Sequence, residues 1–117
     1  MSEKKSCIFC EIINDKNKAR IAYEDEHTLA FYDINPVALI HIVIVPKIHL
    51  ANVNELEDSN IDFVASMFTA AKNVAFTLKV NSSGYRLVIN NQSSAGQTVF
   101  HLHMHFLAGR DFFWPPG

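Results

Sequence analysis

The hexapeptide His101-Leu102-His103-Met104-His105-Phe106 alternates polar and apolar residues without a break, and a two-residue period is what an extended strand imposes. Successive side chains of a strand point to opposite faces, so His101, His103 and His105 share one face while Leu102, Met104 and Phe106 share the other. The apolar face has to rest on a core. The sequence therefore predicts a closing strand over residues 99–107 whose histidine face is open.

The rest of the chain supplies that core. Ile21 and Tyr23, then Leu29, Phe31 and Asp33, sit at alternate positions around a turn-like Glu24-Asp25-Glu26, the pattern of a hairpin. Asn35-Pro36 closes its second strand, and the near-continuous apolar run over residues 39–45, ended by Pro46, reads as a central strand covered on both faces. Ser59-Asn60-Ile61-Asp62 has the form of a capping box. Apolar residues then recur at three-to-four spacing from Ile61 through Met67, Ala71 and Val74 to Leu78, predicting one long amphipathic helix. Gly84 breaks the chain before a strand over residues 85–90, and a Ser- and Asn-rich loop ending at Gly96 leads into the histidine segment. Strands outnumber helices and no repeat is visible, so the expectation is one α+β domain over residues 1–117, an antiparallel meander with a helix on one face.

Charge excludes some partners. A net charge of -2 leaves no clustered basic footprint for nucleic acid or an anionic membrane surface. No apolar run reaches the roughly 18 residues that span a bilayer, and no signal-type block follows Met1-Ser2-Glu3-Lys4-Lys5, so the expected compartment is the cytoplasm. The two cysteines, Cys7 and Cys10, are too close to staple the fold. In a reducing compartment they read either as a metal knuckle or as small packed residues beside Phe9.

Three aligned imidazoles admit three readings: solvated or carbonyl-bonded structural histidines, a metal site, or a nucleophile flanked by groups that orient it and move protons. The Gly96-Gln97-Thr98 entry to the strand favours phosphate chemistry, since backbone amides, a Gln amide and a Thr hydroxyl are neutral donors suited to phosphate oxygens.

His101 to Leu107 resembles the His-x-His-x-His-x-x signature, x apolar, of the histidine triad superfamily. The likeness extends through residues 29–36, His41, Val45-Pro46-Lys47, Gly84-Tyr85-Arg86, Asn90, Gly96-Gln97-Thr98 and the terminal Trp114-Pro115-Pro116-Gly117, which resemble its nucleoside phosphoramidase (Hint) branch. The resemblance implies a homodimer of an α+β domain, with about five antiparallel strands, one long helix and a short N-terminal helix. It implies binding of a purine nucleotide (AMP, GMP or an adenosine phosphoramidate) and hydrolysis of its phosphorus–nitrogen bond to AMP and an amine, with no cofactor required for catalysis.

By position, His103 would be the nucleophile that forms a nucleotidyl-imidazole, His105 would hold the phosphate, His41 would complete a relay to it, and His101 would orient its neighbours. Asn90, Gly96, Gln97 and Thr98 would bind phosphate, and Asp33 with Ile34 would form the ribose and base rim. The long helix and the strand over residues 85–90 would supply most of the dimer interface. Relatives with a Cys-x-x-Cys pair bind structural zinc, and the matching ligands here are Cys7, Cys10, His49 and His101. A dinucleoside polyphosphate hydrolase of the same superfamily, or a nucleotide-binding regulatory module, remains the alternative.

Overall fold

The computed structural model describes residues 7–117, so the expectation placed on the first five residues lies outside the described part. Helix α1 spans Ile8–Asn14, and Cys7 caps it through Sγ, which accepts from the Cys10 N–H at 3.3 Å. The hairpin strands are β1 (Ile21–Glu24) and β2 (Thr28–Tyr32), followed by β3 (Ile40–Pro46). Asp25 sets the hairpin turn by accepting from the N–H groups of His27 and Thr28. Helix α2 runs over Ile61–Thr77, and β4 (Tyr85–Val88) and β5 (Met104–Ala108) complete the sheet.

All four strand pairings are antiparallel and the order is β1-β2-β3-β5-β4. The meander expected from the sequence holds through β3. The chain then passes through α2 to the far edge, and β5 returns into the gap between β3 and β4.

The two faces of the sheet are buried by different helices. Ile42, Ile44, Met104 and Phe106 pack with Met67, Ala70, Ala71 and Val74 of α2. Leu29, Phe31, Val43 and Val45 pack with Phe9 and Ile12 of α1. Phe106 is fully buried, and truncating it to Ala would cost about 3–5 kcal/mol. Strand β3, covered on both sides as its unbroken apolar run implies, is the frame on which the histidines are hung.

Four local expectations are corrected. The closing strand begins at Met104 rather than residue 99, because Leu102 N–H donates to the Leu50 carbonyl at 2.6 Å instead of entering the ladder. Strand β4 ends at Val88, not at residue 90. The capping box does not form: Asn60 is the N-cap, and its side chain instead accepts from Glu57 N–H and donates to the Glu55 carbonyl. The histidine face is not open, because α1 lies over it and leaves His101 and His103 buried. Among the described residues, no helix is long and apolar enough to cross a membrane.

Candidate functional site

His103 immediately precedes β5 and sets its ring edge-on to Phe9, at a centroid distance of 5.1 Å. Its Nδ1 lies 2.8 Å from the His101 carbonyl, which can only accept, so the proton resides on Nδ1. The lone pair is left on Nε2. Burial holds this imidazole below the usual histidine range, so it is neutral and nucleophilic near pH 7.

The partner network is set by sheet register. Val43 faces His105 across the β3–β5 ladder, which places His41 diagonally opposite His105 on the same face. Val37 N–H donates to His41 Nδ1 at 3.1 Å, so the His41 proton sits on Nε2. That Nε2–H donates to His105 Nδ1 at 2.9 Å, which fixes the His105 proton on Nε2. Burial and the neighbouring imidazoles push His105 down to about 4, and burial also lowers His41, so both rings are neutral. A lone pair on His103 thus stands beside an N–H on His105, with ring centroids 5.0 Å apart.

Asp33 Oδ2 lies 3.4 Å from His41 Nε2, while its Oδ1 accepts from Asn35 N–H. Asp33, His41 and His105 bring three possible metal donors together. The Val37 N–H opposes a cation there, because it occupies the His41 Nδ1 lone pair and forces hydrogen onto the nitrogen that would have to ligate.

Two clefts flank the histidines. One of about 360 Å³ is walled by Phe9, Ile12, Phe31, Val43 and Ile34, with Asp33 and Thr98 on its rim. The other, about 250 Å³, is bounded by Val37, His41, Val88, Asn90, His105 and Leu107. Asn90 and His105 therefore share a wall, and Thr98 is exposed at the mouth of the larger cleft.

Gln97 has a different task from the one its polarity suggests. Its Nε2 donates to the Ala51 and Val99 carbonyls at 2.7 and 3.1 Å, its Oε1 accepts from Gln92 N–H, and its own N–H donates to the Gln92 carbonyl. All its donors are spent, so it shapes the loop rather than offering hydrogens to phosphate. Gly96 N–H is likewise bonded to the Ser93 carbonyl, and its φ of 100° requires glycine at this turn beside Asn90.

His101 turns the other way. Its Nε2–H donates to the Pro46 carbonyl at 3.0 Å, which leaves a lone pair on Nδ1. That Nδ1 faces His49 Nδ1 at 3.2 Å, Cys7 Sγ at 3.4 Å and Cys10 Sγ at 3.5 Å. The four donor atoms lie within 4.8 Å of one another, and the two cysteines are not disulfide-linked. Two Nδ1 atoms at this separation can share only one proton, and with two thiols beside them the set fits a tetrahedral Cys2His2 zinc centre. The sequence model described as the HIT domain matches residues 14–112, a span that holds His41, His49 and all three histidines of the closing segment.

The chain belongs to the HIT domain family. Among its relatives, a 14 kDa zinc-binding protein of Zea mays is 42% identical over 112 residues, covering 94% of this chain and 87% of its own. The crystal structure of a HIT family hydrolase from Legionella pneumophila superposes with a TM-score of 0.91 at 41% identity, covering 96% of this chain and all of that one. A histidine triad nucleotide-binding protein from Candida albicans gives a TM-score of 0.80 at 32% identity, with 94% and 83% covered. The HIT match begins after the cysteine pair, so Cys7 and Cys10 lie outside the matched span.

The sequence pointed to the three alternating histidines, His41, Asp33, Asn90 and the Cys/His set, and the fold gathers all of them on the α1 side of the sheet. What it did not point to is the Val37 N–H and the Pro46 carbonyl, main-chain groups that decide which nitrogen of each ring carries hydrogen.

Proposed function

We propose that this HIT chain is a cytoplasmic purine nucleotide-binding hydrolase that cleaves the phosphorus–nitrogen bond of adenosine 5′-phosphoramidates, or their guanosine counterparts, to the nucleotide and an amine. The observation that carries the reading is the pairing of an unprotonated His103 Nε2 with a protonated His105 Nε2. One is a nucleophile for phosphorus, the other a donor for phosphate oxygen. The hydrolase and nucleotide-binding descriptions of the Legionella and Candida relatives point the same way.

In the proposed reaction the nucleoside enters the larger cleft, its ribose hydroxyls donating to Asp33 and its base lying against Ile34. His103 Nε2 attacks the α-phosphorus, a phosphorus–nitrogen bond forms to the imidazole, and the bond to the leaving amine breaks. The departing nitrogen takes up one proton from solvent. Water then attacks the same phosphorus, releases the nucleotide and returns a proton, so one water is consumed per turnover. His105 Nε2–H, with Asn90, stabilises the charge growing on the phosphate oxygens, an effect worth roughly 10²–10³ in rate for one well-placed donor. The His101 carbonyl holds the Nδ1 proton of His103 as the ring becomes cationic.

Zinc, where bound by Cys7, Cys10, His49 and His101, is proposed as a structural ion that ties α1 to the histidine segment, in line with the zinc-binding description of the maize relative. A homodimer is proposed on two grounds: β4 is an edge strand of the sheet, and Phe68 and Phe76 of α2 are exposed. A monomer by sedimentation would remove that part of the reading.

The test is turnover on AMP and GMP amidates beside diadenosine polyphosphates. The expected result is hydrolysis of the amidates, a nucleotidylated protein detectable by intact mass, and loss of both in His103→Asn while nucleotide still binds. Undiminished turnover in His103→Asn would falsify the mechanism, and preference for the polyphosphates would reassign the substrate.

A further inference from the structure

The larger cleft is apolar along most of its length, and such walls cannot tell one purine from another. Ile8, Ile12, Phe31 and Ile34 offer surface for a flat ring and no hydrogen bond to its edge. One cationic side chain lines the cleft among the described residues: Lys18, on the turn that leads out of α1. Its Nζ lies 3.4 Å from Glu11 Oε1, and both side chains are nearly half exposed, so the tie is weak and the ammonium can be shared with a ligand.

The chemistry of that group is one-sided. A lysine ammonium has three donors and no acceptor. A 6-oxopurine presents two adjacent acceptors, O6 and N7, whereas a 6-aminopurine presents N7 beside an amino donor that would oppose the ammonium. Asn35, also on the cleft wall, offers an amide that can turn either its oxygen or its nitrogen inward, and so accepts both edges.

We infer that Lys18 makes this site select 6-oxopurine nucleotides, those of guanine and hypoxanthine, over adenine nucleotides. The inference rests on the nucleotide-binding reading proposed above, in which the phosphate lies at His103 and the base occupies the apolar cleft. Because Lys18 is partly exposed, the expected preference is about fivefold.

The experiment is equilibrium titration of the intact protein with GMP, IMP and AMP, for wild type, Lys18→Met and Lys18→Arg. Expected is tighter binding of GMP and IMP than of AMP in wild type, retained in Lys18→Arg, and levelled in Lys18→Met by weakening of the oxopurines with AMP unchanged. IMP separates the 6-oxo group from the 2-amino group of guanine. Equal binding of all three in wild type overturns the inference, as does a uniform loss in Lys18→Met, which would mark Lys18 as a general attraction for phosphate. If none of the three binds, the nucleotide reading itself falls.

Discussion

His101 and His105 stand four residues apart in one segment, burial pushes both down to about 4, and both carry their proton on Nε2, yet the two rings face different partners. His101 gives its Nε2–H to a main-chain carbonyl and turns a lone pair on Nδ1 into a cluster of sulfur and nitrogen. His105 receives a hydrogen at Nδ1 from His41 and keeps Nε2–H for the cleft. What separates them is the partner at the back of each ring. Residue type and titration range are the same, so function at such a strand is assigned by second partners rather than by the imidazoles themselves.

Removing each ring in turn separates their roles most clearly. His105→Asn is expected to lower kcat on an amidate roughly 10²–10³-fold, with the melting temperature nearly unchanged, because a half-buried donor to the transition state is lost. His101→Asn is expected to do the reverse. It removes a fully buried, doubly bonded side chain, so stability falls by roughly 3 kcal/mol and bound zinc, measured by elemental analysis, is lost. Steady-state kinetics and thermal melts on both variants decide it. Equal effects of the two substitutions on rate, with no difference in melting, would erase the distinction.

Much of this was legible from residue order, and the gaps have a common cause. The alternation at Met104-His105-Phe106 reads true because β5 is held in a ladder on both sides. It overextends the strand at His101, where the bond from Leu102 N–H to the Leu50 carbonyl keeps the chain out of the ladder. The histidine face looked open because nothing in the strand itself announces Phe9, which arrives from the far end of the chain to cover it. Gln97 looked like a phosphate donor because its polarity is visible in sequence and its partners, the Ala51 carbonyl among them, are not. Side-chain periodicity is local information. Which donors are already spent is tertiary information, and the candidate site depends on it.

Acid sensitivity changes less, and it follows from the burial of His105. An ordinary histidine titrates near 6.5, and His105 in the folded protein near 4, so between these values the unfolded chain binds the proton and the folded one does not. The stability tied to His105 is therefore complete above pH 6.5 and is lost progressively as pH falls from 6.5 toward 4. Burial lowers His41 too, which adds in the same direction. Protonating His105 would put hydrogen on Nδ1 against the Nε2–H of His41, two donors 2.9 Å apart, so the relay opens as the ring charges. Urea denaturation midpoints at pH 7, 6 and 5 should fall steadily in wild type and less steeply in His105→Asn, while kcat/KM begins to drop only below the ordinary histidine range, because burial lowers His103 as well. A midpoint that rises on acidification, or a slope identical in the variant, would mean that His105 is not held neutral by its surroundings, and the assignment of its Nε2–H to phosphate would lose its basis.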